Sequence, residues 1–167
     1  MEVPGRQGPL RLEELRVAVL PGEGLVAKFG SALLVVVAKG RPCAPVVAQL
    51  VDACRAATGG AGELARLLGS TVGSAGQDGD VSFCAVVDGA EGLSILVHGD
   101  IQVSIRGGEP VVNLLGNGGP ISTVLVPGGL TSLAIGERDR ASGVELPDQL
   151  LDLRDGLVPG CGAMLEP

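Results

Sequence analysis

Residues 32–54 read ALLVVVAKGRPCAPVVAQLVDAC, and in them the spacing of apolar residues changes from that of a strand to that of a helix. Leu33-Leu34-Val35-Val36-Val37 is β-branched and apolar without alternation, which is the pattern of a strand buried on both faces. Pro42 and Pro45 then open a helix, because proline is tolerated in a first turn whose N–H groups have no partner anyway. Val46, Val47, Leu50, Val51 and Cys54 follow at i, i+1, i+4, i+5 and i+8, one apolar stripe of an α-helix. A central strand buried on both faces and then helices, with runs of strands on either side, predict an α+β fold of antiparallel sheets with two helices between the runs of strands.

Upstream, Arg16-Val17-Ala18-Val19-Leu20 and Leu25-Val26-Ala27-Lys28-Phe29 flank Pro21-Gly22-Glu23-Gly24 and read as a first hairpin or a broken strand pair. Downstream, Gly59-Gly60 ends the first helix. A second, shorter helix is predicted from about Gly62 to Leu68, with Leu64, Leu67 and Leu68 on one face, and Gly73 to Asp80 reads as a mobile connection. From Val81 the period becomes two. Val81–Val87 and Leu93–His98 flank an acidic, glycine-rich turn and form a hairpin. Gly99-Asp100 turns or bulges the chain, and Ile101, Val103 and Ile105 alternate with Gln102, Ser104 and Arg106. Short strands at Pro110–Leu115, Ile121–Val126 and Leu130–Ile135 complete what reads as an antiparallel meander. Leu146 to Leu153 reads equally as a short helix or an extended segment. Pro159-Gly160-Cys161-Gly162 echoes Pro21-Gly22-Glu23-Gly24, a match too short in a glycine-rich chain to establish a repeat. The reading divides the chain into a flexible leader, 1–13, an α+β core, 14–136, and a C-terminal extension, 137–167, that is possible linker sequence.

Composition narrows the function. The chain has 167 residues, the size of one ordinary domain with a core of its own. With 46% apolar and 19% charged residues it is expected to fold. A net charge of −7, no Trp or Tyr and two Phe speak against nucleic acid as a partner. The longest apolar run, Ala32 to Ala38, is far short of the roughly 20 residues that span a bilayer, and Met1 to Arg11 lacks the apolar stretch of a secretory signal. No membrane span is expected, and a cytoplasmic location is the default. Cys43, Cys54, Cys84 and Cys161 lie tens of residues apart with no paired spacing, so no metal site and no cofactor are expected and the thiols read as small buried hydrophobes, although the spacing does not exclude a disulfide.

Chemistry is sparse in this pattern. Lys39-Gly40 stands in the wrong order for a phosphate loop, Gly59-Gly60-Ala61-Gly62 joins helix to helix, and Gly116-Asn117-Gly118-Gly119 has no helix after it. Any nucleophilic triad would have to pass through His98, the one histidine. His98 and Asp100 are therefore the catalytic candidates, with Asp78, Asp80, Asp88 and Glu91 as further carboxylates of the same region. Neighbours along a strand point to opposite faces, so the simpler reading makes His98 a strand-end residue and the carboxylates turn formers.

Two resemblances bear on function. The run Val17 to Val37, with its Pro-Gly-x-Gly turn and Val26-Ala27-Lys28-Phe29-Gly30, then Phe83–Val87, Leu93–Asp100 and Val158-Pro159-Gly160-Cys161-Gly162, resembles the N-terminal region of actinobacterial proteins that carry a forkhead-associated (FHA) domain further along. The FHA module itself is not expected here: its phosphothreonine readers use Gly-Arg and Ser-x-x-His segments, and His98 follows Ile95-Leu96-Val97. The order of elements is also similar to a shortened metal-dependent serine/threonine phosphatase (PPM) fold, in which Leu93 to Asp100 would align with the strand bearing a Gly-Asp motif. That family holds two metals partly through an Asp-Gly-x-Gly-Gly turn directly after an early strand. Here Leu33–Val37 leads into Ala38-Lys39-Gly40, and Asp88-Gly89-Ala90-Glu91-Gly92 comes after the helices. The resemblances together imply a degenerate, non-catalytic phosphatase-like domain that docks a protein partner or regulates an FHA-type signalling protein. The alternatives are a small hydrolase or ligand binder using His98 and Asp100, and a structural oligomerisation domain; the oligomeric state and the partner's identity are not read from sequence.

Overall fold

In the computed structural model the described residues are 11–20, 24–29, 32–38, 44–56, 61–74, 81–89, 92–99, 101–106, 112–115, 122–126, 132–137, 156–160 and 162–166. A short 3-10 helix, Leu12–Glu14, leads into β1 (Arg16–Leu20), β2 (Leu25–Phe29) and β3 (Ala32–Ala38). Helices α1 (Ala44–Ala56) and α2 (Ala61–Ser74) follow, then β4 (Val81–Gly89), β5 (Gly92–His98), β6 (Ile101–Arg106), β7 (Val112–Leu115), β8 (Ser122–Val126), β9 (Ser132–Glu137), β10 (Gly156–Pro159) and β11 (Gly162–Glu166). The fold is α+β, with two consecutive helices after the first three strands as the sequence predicts. The second helix extends beyond the predicted Gly62–Leu68 and is slightly the longer of the two.

Among the described residues the strands form two antiparallel sheets, one ordered β1-β11-β9-β6-β7 and the other β10-β2-β3-β4-β5-β8. Alternation along β3 explains the layering. Leu33 and Val35 join Cys84, Val86, Ile95, Val103 and Ile135 in a core that contains residues of both sheets. Leu34 and Val36 join Phe83, Ala85 and Leu96 in a second core with Leu50, Cys54, Leu64 and Leu68 of the helices. The double burial expected of this strand is thus met, from Leu33 to Val36, by a sheet on one side and a helical layer on the other. Leu50, Val51 and Cys54 of the predicted stripe are buried, and α1 packs on β2 and β3 while α2 packs on β4. The exposed Arg55 guanidinium sits 4.9 Å from the centre of the Phe29 ring, a cation–π contact between α1 and β2 worth about 0.5–1 kcal/mol at an exposed position. No helix among the described residues is long and apolar enough to cross a membrane.

Four sequence expectations need correction. β1 and β2 do not pair: β1 bonds to β11 in one sheet and β2 to β3 and β10 in the other, so the Pro21–Gly24 stretch joins two sheets instead of closing a hairpin. The strands after β4 are no simple meander either. β4 and β5 form the predicted hairpin, but β6, β7 and β9 belong to the sheet of β1, and β8 returns to the sheet of β5. The described part of the expected extension 137–167 belongs to the core, because β10 pairs with β2 and β11 lies between β1 and β9. Finally, the boundary expected at residue 13 falls inside a 3-10 helix whose Leu12 is fully buried in the inter-sheet core together with Leu15; residues 1–10 lie outside the described set.

Gly24 and Gly160, the described glycines that meet from the two Pro-Gly-x-Gly stretches, are hydrogen-bonded to each other. β1 pairs with β11, β2 pairs with β10, and between them the Gly160 N–H donates to the Gly24 carbonyl at 3.2 Å. The two chain segments therefore run side by side as one antiparallel ribbon that starts in one sheet and ends in the other. Gly24 holds φ +138°, and a Cβ there would lie 2.5 Å from the carbonyl oxygens of both Gly160 and Val36. A Cβ on Gly160 would lie 2.5 Å from a methyl of Val19. Backbone strain of this kind costs on the order of 1–3 kcal/mol. Gly24→Ala is accordingly expected to lower unfolding free energy by at least about 1–3 kcal/mol in urea titration. Gly62→Ala, in a helix with open space around its Cα, is expected to raise it by about 0.5–1 kcal/mol.

Candidate functional site

β3 ends at Ala38, opposite Val81, and β5 ends at His98, opposite Phe83. Both exits, together with the Gly24–Gly160 corner beside Val36, therefore occupy one end of the sandwich. His98 lies in register with Phe83, whose ring belongs to the helix-side core, so the imidazole is on the helix side of its sheet. It is half-buried, with its ring centroid 5.4 Å from that of Phe83 and the planes tilted by 31°, within the range of favourable aromatic pairs. Gly99 then takes φ +83°, where a Cβ would lie 2.5 Å from the Ser82 hydroxyl oxygen, and two residues later the chain is in β6 of the other sheet. The Gly99-Asp100 step is thus a crossing between sheets, not a hairpin turn.

Of the candidate residues, His98 is described, and Asp100 lies outside the described residues, as do Asp78, Asp80 and Glu91. Asp88 is described, and the structure separates it from His98. It pairs with Leu93 near the far end of β4, five residues from Phe83, roughly 16 Å at the rise of a strand. It also alternates with Cys84 and Val86, which face the other sheet, while His98 faces the helices. Asp88 therefore does not join His98 in the way the alternative reading of a hydrolase or ligand binder would need. Among the described residues no three His, Cys, Asp or Glu side chains gather in a way that could hold a metal ion.

Asp88 has a different partner that the sequence did not suggest. Its Oδ1 accepts the backbone N–H of Leu12 at 2.6 Å, across 76 residues of sequence. Burial pushes the carboxyl pKa up; the Leu12 N–H and the positive charges of Arg11 and Lys28 pull it back down, and Glu13 adds to the rise. Lys28 is itself only 5% exposed. It stands in register with Leu33 of the inter-sheet face, so this end of the sandwich is closed by the 3-10 helix and a small set of charges. Leu12 and Leu15, three residues apart around Glu13-Glu14, were the available signal for this closure.

The two described cysteines behave as the sequence predicts. Cys84 is in the inter-sheet core and Cys54 under the helices, both free thiols. Burial drives the thiol pKa of Cys54 up to about 12 and raises that of Cys84 as well, so neither supplies a thiolate nucleophile near neutral pH. Cys43 and Cys161 lie outside the described residues.

No family model matches the chain, and no curated protein and no solved structure matches it.

The Asp88 contact makes a prediction about stability. Asp88→Ala leaves the buried Leu12 N–H without its acceptor and is expected to cost about 1–3 kcal/mol, whereas Asp88→Asn keeps an amide oxygen in its place. Because folding raises this carboxyl's pKa, the folded protein holds the proton more tightly than the unfolded chain. Its contribution is therefore largest below the ordinary carboxylate value and declines as pH rises through the folded value. Urea midpoints measured from about pH 3 to pH 7 should show Asp88→Asn gaining on the wild type as pH rises. A constant difference would mean that the carboxyl is not destabilised when ionised.

Proposed function

We propose that this chain is a non-catalytic protein-interaction or regulatory domain with a degenerate, PPM phosphatase-like sandwich, acting in an FHA-type signalling protein. Two observations support the reading. The paired-sheet core carries a helical layer on one face, in the element order of that fold. β3 ends at Ala38, and the next residues in sequence are Lys39 and Gly40, whereas the resembled family has an acidic, metal-holding turn directly after an early strand. A bound metal hydroxide needs several anionic ligands at one point. The acidic turn of this chain instead begins with Asp88, which is at the opposite end and engaged with Leu12.

The test is an assay of purified protein with Mg²⁺ or Mn²⁺ and a generic aryl phosphate, with Asp100→Asn alongside. The expected outcome is hydrolysis at the blank rate for both proteins and no metal binding in calorimetry. Metal-dependent turnover that disappears in Asp100→Asn would replace this reading with that of a hydrolase using His98 and Asp100.

A further inference from the structure

We infer that β1 and the β10–β11 ribbon form a strap that opens as one unit while β3, β4, β5 and the helices remain folded. This opening is independent of the proposed function and arises from how unevenly the two parts are buried. β11 separates β1 from β9, and β1 pairs with no other described strand. β10 is the edge of its sheet and pairs only with β2. Loss of the ribbon therefore releases β1 but leaves β9 paired with β6 and β2 paired with β3.

Side-chain burial is weighted the same way. The strap places Val17, Ala163 and Leu165 fully in the inter-sheet core and Val19 and Val158 partly, with Leu20 also buried, while Leu157 is 45% exposed. The described glycines of the ribbon, Gly156, Gly160 and Gly162, add no side chain, and the core side chains of the strap belong to one core only. β3, β4 and β5 bury side chains on both faces, in two separate cores. Since the free energy of opening scales with the apolar surface it exposes to water, the strap is the cheaper unit to release. Its opening leaves the edges of β9 and β2 unpaired, ready to accept a strand.

Native-state amide exchange on the intact protein tests this, with Leu50→Ala as the second arm. The hydrogen-bonded amides of β1, β10 and β11 should exchange together, at least about tenfold faster than those of β3, β4 and β5, and with a weaker urea dependence. Leu50 belongs to the helix-side core, so Leu50→Ala should lower the global urea midpoint and speed exchange in β3–β5 at least about tenfold, leaving the strap amides within about twofold of wild type. Val51→Ala replaces it if that protein does not fold. A single protection level across both sheets, or an equal acceleration of all strands by the helix-side substitution, would overturn the inference.

Discussion

Strands β3, β4 and β5 carry apolar side chains on both faces, and the rest of the structure answers that constraint. A sheet buried on both sides needs two covers. The chain supplies one locally, by running straight from β3 into α1 and α2, and the other at long range, by building a second sheet from β1, β6, β7, β9 and β11. The local cover needs only an amphipathic helix pair in the right place. The long-range cover requires the chain to move repeatedly between sheets, and at two of these crossings the described residues Gly24 and Gly99 hold positive φ.

What could be read from sequence divides along the same line. β3, the stripe of α1, the β4–β5 hairpin and the inward alternation of Ile101, Val103 and Ile105 were legible because each is a local periodicity. Alternation tells which residues of a strand are buried but not which sheet receives the strand. A glycine turn such as Gly99-Asp100 looks the same in sequence whether it closes a hairpin or carries the chain across to the opposing sheet. This is why β1 and β2 read as a pair, and why β6 to β9 read as one meander. The same limit hid β11: a short, small-residue segment near the end of the chain resembles linker until its two neighbours are known.

The candidate site divides in a similar way. His98 stands out in sequence because it is the one histidine, and the structure gives it an aromatic neighbour at a strand end. Asp88 looked like a turn former because Gly89 comes after it, yet its carboxylate holds the N–H of a residue far away in the chain. No local pattern encodes a contact of that span. What the sequence did contain was Leu12 and Leu15, two apolar residues on either side of the boundary expected at residue 13, and both are buried.

The two ends of the sandwich are thus closed by different means. One end is closed by charge and a 3-10 helix: Lys28 and Asp88 lie beneath Arg11, Leu12 and Glu13. The other, where β2 begins and β3 ends, is closed by backbone against backbone. Gly24 and Gly160 share a hydrogen bond, and neither position has room even for a Cβ. Any side chain at Gly24 would require the two crossings to move apart. The glycine that allows the ribbon to turn from one sheet into the other is therefore also what lets the two backbones close this corner with no side chain between them.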